Sequence, residues 1–515
     1  MDRKKDSASL VRSMKLHWVV TKEKQNEAID RLFHKEGSSF FTPERGFLGI
    51  IHAGSGISRR IMMLRQIVPQ KEGWVTTSGH GLSFDPHYFS RALDVVAASP
   101  LGAGVIIVHS HFGYSRDAHM PPEPSEPDLF HERKLLFQLT RALPSGAPVA
   151  SGILVKNGAW RIREYSWPRP NTAVEATSRR FGIDRATHTD ASGMSVVSSD
   201  SIVVNHYGKS SPTKVRTKEV DSTLRLWGKE GQELLGSLRV GISGVGGVGC
   251  ILAEFLARLG VGELVLVDFD VVSEENLNRL VGARRQDLGK PKVDYASRIA
   301  RQAATASGFR VREIRASTAE WEGLRPLLDT DIIMNAADSP FARQVLDHAA
   351  YAYCLPVIDG GTRLLVAAKA GETIGKSQVG KAGPGDPCFE CSGVYTQEEA
   401  TMARESPSMV GPKGYVQAIE RGVSSEAPRA PSVISFNGLV ASLMVQRMLS
   451  IVLGFPPRGK RGQQRYYVEQ GTLEWGPTEK CKEDCPKPQW EGLGDSHPMP
   501  VGIDPVWKQM RQRKQ

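Results

Sequence analysis

Short apolar runs alternate with stretches of helical periodicity over residues 1–168. Strands are predicted at 16–20, 47–52 and 104–109, and helices at 27–34 and 129–143. Apolar side chains that recur every three to four positions give a helix one buried face, and short apolar runs give buried strands. The pattern therefore predicts an α/β domain over this part of the chain.

A second pattern begins near residue 221 and continues to residue 490. The apolar strand 238–243 enters a glycine-rich turn, which is followed by an apolar helix over 248–259 and a strand over 263–268. This strand–turn–helix–strand order predicts a parallel sheet with right-handed crossovers. Later strands are predicted at 310–314, 331–335 and 357–359. We therefore expect a second domain with a Rossmann-like, doubly wound α/β fold over 221–490.

The regions outside these two domains have little periodic apolar content. Residues 169–220 are rich in Ser, Thr and Asn, which predicts a linker. Residues 491–515 are assigned to a C-terminal tail. The chain from Pro486 onward is rich in Pro and basic residues, and we expect it to fray.

The composition favours a soluble, cytoplasmic protein. The 515 residues suffice for two or three domains, and 40% of them are hydrophobic and 24% charged. The net charge of +10 comes without a basic stripe interleaved with aromatic residues, so no nucleic-acid partner is expected. No apolar stretch follows the N-terminus. The apolar segment 433–455 contains Asn437 and Arg447, which predicts a buried core helix and no membrane partner.

The glycine-rich turn is the first candidate site. It contains Gly244, Gly246, Gly247 and Gly249, between a predicted strand and a predicted helix. Glycine lets the backbone approach a phosphate closely, and the helix N-terminus supplies free N–H groups and a positive dipole end. A dinucleotide-binding dehydrogenase has the same turn, with an acid at the end of the second strand, where Asp268 lies.

The polar residues that follow favour phosphoryl chemistry over hydride transfer. They are Asp270, Asn276, Arg279, Lys292 and, after a later strand, Asp338. When a carboxylate attacks an α-phosphate, negative charge builds up and fixed cations must offset it. A carboxylate such as Asp338 is also a ligand that Mg²⁺ prefers. The set predicts a site for adenylyl transfer.

Together these motifs resemble the ThiF/MoeB/ubiquitin-activating-enzyme superfamily, over Leu224 to Cys485. The resemblance implies ATP-dependent adenylation of the C-terminal glycine of a ubiquitin-like protein, with ATP and Mg²⁺ and in a homodimer. It implies that Asp268 holds the ribose, that Arg279 and Lys292 hold the phosphates, and that Asp338 is the acid linked to Mg²⁺.

Two departures from the superfamily affect the expected product. Glu219 stands where relatives often carry an arginine, and 392–480 contains no cysteine where many relatives carry a thioester cysteine. Cys250 and Cys354 are interpreted as buried apolar fillers. The expected product is therefore an acyl-adenylate, passed directly to a conjugating enzyme's thiol or to a sulfur donor.

Four cysteines form two close pairs, Cys388 with Cys391 and Cys481 with Cys485. This spacing predicts a tetrahedral four-thiolate zinc site, and relatives have the same arrangement. In an intracellular chain close pairs favour a metal over disulfides. Four protein ligands leave no open position, so the zinc would be structural. Two unconnected thiol pairs are the alternative.

A second metal site is predicted near the N-terminus. His109 and His111 are two residues apart at the end of a strand, so both imidazoles point to one face. Asp128 follows in the motif Ser125-x-x-Asp128, which is also a helix-capping box. Three protein ligands and an open position are what a hydrolytic zinc requires. Glu44 is the predicted general base for its water.

This set resembles the JAMM (JAB/MPN) metalloprotease motif, an upstream Glu with His-Ser-His and Ser-x-x-Asp. Under the resemblance the zinc ligands are His109, His111 and Asp128, the base is Glu44, and Ser125 helps to stabilise the oxyanion. Relatives cleave isopeptide bonds or trim ubiquitin-like proteins. Phe112 replaces a frequent proline, and the loop 113–124 is longer than usual. The alternative is an inert binding domain.

The leading hypothesis joins both activities in a bacterial ubiquitin-like conjugation system. The N-terminal domain would expose or release the C-terminal glycine of a ubiquitin-like protein, and the second domain would activate that glycine. One alternative is adenylation of a sulfur-carrier protein of the thiamine or molybdopterin type. Another is a deconjugating peptidase whose adenylation domain is an inert scaffold.

Overall fold

The protein is described here by a computed structural model. It describes residues 14–33, 45–78, 81–111, 123–167, 186–207, 218–366, 373–405, 432–455, 462–477 and 479–512.

The N-terminal unit combines two β-sheets with three helices in its described residues. Its strands are β1 (Lys15–Thr21), β2 (Gly46–Ser55), β3 (Arg59–Ile67), β4 (Val75–Ser78), β5 (Gly81–Phe84), β6 (Gly104–Ser110), β7 (Val149–Leu154), β8 (Trp160–Ser166), β9 (Thr187–Val197) and β10 (Ile202–His206). Its helices are α1 (Lys22–Phe33), α2 (Pro86–Ala97) and α3 (Glu126–Ala142). The strands and helices predicted in this unit are all present.

The main sheet of this unit closes on itself. Its strand order is β1-β3-β2-β6-β7-β8-β9-β10, and β1 also pairs with β9. β9 and β10 lie within 169–220, so the prediction of a linker there is wrong for 187–206. Met194 and Val196 are buried between β1 and β10. The Ser and Thr residues around Met194 and Val196 made the segment look like a linker. Whether a segment forms a strand depends on pairing with distant strands more than on local composition.

The C-terminal unit contains a second eight-stranded sheet covered by helices. Its strands are β11 (Arg239–Ser243), β12 (Glu263–Val267), β13 (Arg310–Ile314), β14 (Ile332–Asn335), β15 (Val357–Val366), β16 (Thr373–Ala382), β17 (Gln464–Tyr467) and β18 (Thr472–Trp475). Its helices are α4 (Asp221–Ser237), α5 (Gly247–Leu259), α6 (Lys292–Ala303), α7 (Trp321–Leu328), α8 (Pro340–Ala352), α9 (Gln397–Glu405), α10 (Ile434–Leu453) and α11 (Pro505–Gln512). Short 3₁₀ helices lie at Glu274–Asn276, Arg285–Asp287, Lys487–Trp490 and Gly494–Ser496.

The first five strands of this sheet run parallel, and they confirm the predicted doubly wound arrangement. The order is β13-β12-β11-β14-β15-β16-β17-β18, and β11 pairs in parallel with both β12 and β14. The strand order therefore reverses at β11, between β12 and β14. Ligands of open parallel sheets bind at such a switch point, beyond the carboxyl ends of the strands.

Helix α10 is long and apolar enough to span a membrane by length and composition, but 67% of its most apolar window is buried inside the protein. It packs against α5, β15 and β16. Its polar residue Asn437 is 4% exposed. The segment therefore forms a core helix, as the sequence predicts.

The two units meet at the amino ends of the strands of the second sheet. Asp331, just before β14, accepts a 2.8 Å hydrogen bond from the Arg59 guanidinium, and both side chains are almost fully buried. Asp329 accepts hydrogen bonds from the backbone N–H groups of Ser58 and Arg59, both at 3.0 Å. Buried side chains from both units form one continuous apolar cluster. A buried charge that is paired and hydrogen bonded in this way fixes one docking geometry.

The C-terminal segment is folded onto both units, so the prediction that it frays is wrong for residues 486–512. Asp495 accepts a 2.7 Å hydrogen bond from the Tyr353 hydroxyl, and Ser496 bonds to His52 of β2 at 2.8 Å. Trp507 is 7% exposed. The composition of the tail predicts fraying because its few apolar side chains are widely spaced, but two of them, Leu493 and Trp507, are buried against the rest of the protein.

Replacing Arg59 should uncouple the two units. Arg59→Ala leaves Asp331 buried without its cation, and we expect a loss of about 3–5 kcal/mol and a calorimetric unfolding transition that separates into two. Burial alone would raise the pKa of Asp331, but Arg59 and His206 outweigh it and hold that pKa well below its ordinary value. The stabilisation from the ion pair between Arg59 and Asp331 is therefore present at neutral pH. It is lost as the pH falls through the pKa of Asp331 in the folded protein.

The neighbouring Arg60→Ala is the matched control. Arg60 pairs with Glu164 inside the N-terminal unit, so its loss should leave the coupling between the units intact. An Arg59→Ala protein that unfolds like the wild type would contradict this account of the interface.

Candidate nucleotide and metal sites

The glycine turn connects β11 to α5 at the switch point. Gly244 has φ +82°, a conformation that side chains rarely adopt. A Cβ at Gly249 would lie 2.0 Å from the Gly244 carbonyl oxygen, so only glycine lets the helix start this close to the strand. A Cβ at Gly246 would meet no atom within 4 Å. The turn thus presents open space at the N-terminus of α5, where a phosphate would be stabilised.

Asp268 is tied directly to this turn. Its carboxylate accepts hydrogen bonds from the backbone N–H of Val245 at 2.6 Å and of Asp270 at 2.8 Å. Burial raises the pKa of Asp268, and the nearby cation Lys292 opposes that shift in part. The acid at the end of β12 is therefore bonded directly to the glycine turn.

Lys292, the first residue of α6, lies over the same site. Its Nζ is 2.9 Å from Asp270, and its side chain is 12% exposed. Burial alone would lower the pKa of Lys292, but the carboxylates of Asp268 and Asp270 outweigh burial and raise it. A cation is thus fixed beside the glycine turn.

Asp338 and Arg279 lie on either side of the turn. A Cβ at Gly244 would lie 2.7 Å from the backbone nitrogen of Ala337, so the chain leading to Asp338 packs against the turn. Asp338 is exposed and interacts electrostatically with Lys292. The Cδ of Arg279 lies 3.6 Å from the position of a Cβ at Gly247. The structure therefore brings the predicted phosphate and Mg²⁺ residues together.

Arg279 and Asn276 make local contacts that shape the loop after β12. The Arg279 guanidinium donates to the Glu275 carbonyl at 2.6 Å and to Asn278 Oδ1 at 3.0 Å. The buried Asn276 accepts a 3.4 Å bond from the N–H of Ser273. Asn276 therefore stabilises a short 3₁₀ turn, and its described contacts are with protein.

Residues remote in the sequence complete the site. A Cβ at Gly247 would lie 2.2 Å from Asn437 Nδ2 of α10. The buried Asp359 accepts bonds from Asn335 at 2.6 Å and from Arg343 at 3.0 Å, next to the loop that carries Asp338. Asn437 and Asp359 are polar residues inside apolar runs, and that signal could have marked them in advance.

The four cysteine sulfurs lie within 4.8 Å of one another. Hydrogen bonding from Cys388 lowers the pKa of Cys481 to about 5, whereas the same bond, together with burial, raises the pKa of Cys388. The backbone N–H of Cys388 also donates to Cys481 Sγ at 3.2 Å, and the N–H of Cys391 donates to Cys388 Sγ at 3.3 Å. Thiolates supported by backbone N–H groups fit a tetrahedral zinc site, which would include Cys485 as its fourth ligand.

The predicted N-terminal metal ligands also converge. The ligand atoms of His109, His111 and Asp128 lie within 4.8 Å of one another. His109 is 6% exposed, and its Nε2 has no hydrogen-bond partner among the described residues. Burial lowers the pKa of His109 to about 4, so the imidazole is neutral at pH 7, the form that binds metals. An orphaned, neutral imidazole nitrogen in this set fits a metal ion.

Ser125 and Asp128 form the predicted capping box at the start of α3. Asp128 accepts bonds from the Ser125 N–H at 2.9 Å and from its hydroxyl at 2.7 Å. Burial would raise the pKa of Asp128, but the bonds from His111 and Ser125 outweigh it and lower that pKa. The cap fixes the carboxylate as an anion beside the two histidines.

Glu44 lies outside the described residues. The residue after it, Arg45, donates its backbone N–H to Ser110 Oγ at 2.9 Å, and Gly46 is paired with His109 across β2 and β6. Strand β2, which follows Glu44 in the chain, therefore begins directly beside His109.

The fold and the cation-bearing glycine turn define a nucleotide-binding domain of the adenylyltransferase class. Comparison with known proteins agrees, since the ThiF family matches residues 220–487. The chain belongs to the ThiF family.

Individual relatives share this part of the chain. The molybdopterin-synthase adenylyltransferase of Escherichia coli (strain K12) is 31% identical over 202 residues, which cover 38% of this chain and 76% of the relative. The adenylyltransferase and sulfurtransferase uba4 of Aspergillus clavatus is 31% identical over 38% of this chain and 40% of the relative. The SAMP-activating enzyme E1 of Haloferax volcanii is 29% identical over 38% of this chain and 69% of the relative.

Removing one thiol should empty the four-cysteine site. We expect Cys481→Ser to lower the zinc content of the purified chain by about one equivalent and to lower its melting temperature, because structural zinc contributes folding free energy directly. Zinc can be measured by mass spectrometry of the acid-digested protein. Cys250→Ser, a buried cysteine outside the cluster, should keep the wild-type zinc content. Unchanged zinc in Cys481→Ser would contradict the site.

Proposed function

We propose that the C-terminal unit uses ATP to adenylate the C-terminal carboxylate of a ubiquitin-like or sulfur-carrier protein. The observation that carries this proposal is the placement of Lys292 and Arg279 over an open glycine turn, with Asp268 bonded to the turn itself. A dehydrogenase needs no such cations. Family membership and the names of the relatives support the same chemistry.

Each group has a role in this reaction. The carboxylate attacks the α-phosphorus, a new P–O bond forms, and the bond to pyrophosphate breaks. Lys292 and Arg279 offset the charge that develops on the phosphate oxygens. Asp268 would accept a hydrogen bond from the ribose, and Asp338 would hold Mg²⁺ beside the leaving group.

The partner is proposed to belong to a bacterial ubiquitin-like conjugation system. Two of the relatives are named as a molybdopterin-synthase adenylyltransferase and as an adenylyltransferase and sulfurtransferase, so sulfur-carrier activation is the second candidate. The acceptor of the acyl group would be a conjugating enzyme's thiol or a sulfur donor. Mass spectrometry of the modified partner distinguishes a thioester or amide from a thiocarboxylate.

Exchange of labelled pyrophosphate into ATP tests the adenylation. With a ubiquitin-like partner present, we expect Lys292→Ala to lower the exchange rate at least about 100-fold, because it removes the fixed cation from the transition state. Lys290→Ala, two residues away and 56% exposed, should stay within about twofold of wild type. Exchange that survives Lys292→Ala would refute the proposed role. A wild type without exchange would favour an inert scaffold.

We also propose that the N-terminal unit is a zinc-dependent peptidase of the JAMM type that acts on the same partner. The support is the convergence of His109, His111 and Asp128, together with the orphaned nitrogen of His109. Bound zinc would supply a Lewis acid and a water of lowered pKa. Glu44 would take the proton of that water, and the Ser125 hydroxyl, which donates to Asp128 in the unbound site, would rotate to donate to the oxyanion.

Cleavage of a ubiquitin-like protein with a C-terminal extension tests this second site. We expect His109→Ala to lose both cleavage and about one equivalent of zinc, because it removes a ligand. Glu44→Gln should keep the zinc but cut the rate at least about 100-fold, because only proton transfer is lost. His131→Ala, an exposed histidine on α3, should change neither. Cleavage that persists in Glu44→Gln would exclude Glu44 as the base.

A further inference from the structure

The C-terminal helix α11 is docked beside the nucleotide site, although it follows the family-matched residues 220–487 in the chain. Trp507 stacks on Phe269 with ring centroids 5.5 Å apart and an interplanar angle of 25°. Phe269 lies between Asp268 and Asp270, the two carboxylates that meet the glycine turn and Lys292. The helix therefore packs directly on the loop that carries the ribose-binding position.

Two arginines hold the Trp507 ring in place. The Arg315 guanidinium lies 5.9 Å from the ring centroid and that of Arg511 lies 5.2 Å from it. Arg315 also approaches the Phe269 carbonyl oxygen, with its Nε 3.5 Å away. Cation–π contacts of this kind stabilise the ring in its observed position. The loop after β12 and the loop after β13 are thus joined through one tryptophan.

The start of α11 fixes the second of these loops. Asp504 caps the helix by accepting from the N–H groups of Val506 at 3.0 Å and Trp507 at 3.2 Å. Its other oxygen accepts a 2.5 Å bond from Ser317, in the loop after β13. The next residue, Thr318, bonds to Ser243 at 2.8 Å, at the end of the strand that enters the glycine turn.

The positions of the loops after β12 and β13 indicate which part of a bound nucleotide they would contact. Phosphates would lie at the turn after β11 and the ribose at the end of β12, so the base extends toward the next strand, β13. The loops after β12 and β13 form that side of the site. Both loops are buttressed from behind by α11.

We propose that α11 shapes the base-binding side of the nucleotide site and that Trp507 is a positioning residue acting through Phe269. This inference rests on the adenylation proposed above. The loops after β12 and β13 would then contribute to ATP affinity in addition to the glycine turn and its cations. The ring contacts of Trp507 in the described structure are with Phe269, Arg315 and Arg511, whereas Lys292 and Arg279 are the cations proposed to meet the phosphates.

Titration of MgATP into the full-length chain tests this inference. We expect Trp507→Ala to weaken ATP binding by about tenfold, and to raise the KM for ATP by a similar factor in pyrophosphate exchange. The kcat and the KM for the protein partner should stay within about twofold of wild type, because the phosphate cations are unchanged. Trp507→Phe should restore ATP affinity, because it keeps the ring and Trp507 Nε1 has no hydrogen-bond partner among the described residues.

A second tryptophan provides the control for general loss of stability. Trp475 stacks under Arg447 at 5.4 Å on β18, at the opposite edge of the same sheet. Trp475→Ala should leave ATP affinity unchanged. Wild-type ATP affinity in Trp507→Ala would overturn the inference, as would equal losses in Trp507→Ala and Trp507→Phe. A wild type that binds no MgATP would instead refute the proposed adenylation, and with it this role for α11.

Discussion

Two buried carboxylates, Asp329 and Asp331, set the architecture of the whole chain. They lie where the strands of the second sheet begin. They accept hydrogen bonds from Ser58 and Arg59, at the start of β3. A carboxylate this deeply buried is tolerated only when its partners are in place, so the docking geometry is narrowly defined. The continuous apolar cluster behind the ion pair then makes the two units one folded body.

The interface occupies the amino edge of the second sheet, and the proposed nucleotide site lies at its carboxyl edge, where open parallel sheets bind ligands. The glycine turn, Asp268, Lys292 and Asp338 all follow strands at that edge. The C-terminal segment connects the two edges, since it leaves the cysteine cluster, contacts the N-terminal unit through Ser496, and ends on the loop after β12. A single stretch of chain therefore contacts both units and the loop beside the proposed nucleotide site.

The sequence predicts local features of this protein well. The strand–turn–helix at the glycine turn, the capping box at Ser125 and the paired cysteines each depend on residues close together in the chain. Features that depend on distant partners were missed. Strands β9 and β10 become strands by pairing with β1 and with each other, and Trp507 is buried by Phe269, far away in sequence. No local pattern encodes such pairings, because tertiary packing overrides weak local preference.

The direction of β2 has a consequence for how a shared partner would be handled. Its first residue is paired with His109, whereas Gly54 at its far end packs against Tyr353 of the C-terminal unit, so the strand alone spans about 30 Å. The glycine turn follows β11, at the carboxyl edge of the second sheet, opposite the edge that contacts the N-terminal unit. Under the two proposed functions, a shared partner would have to move between opposite ends of the molecule, and the fusion would supply the two proposed activities in equal amounts.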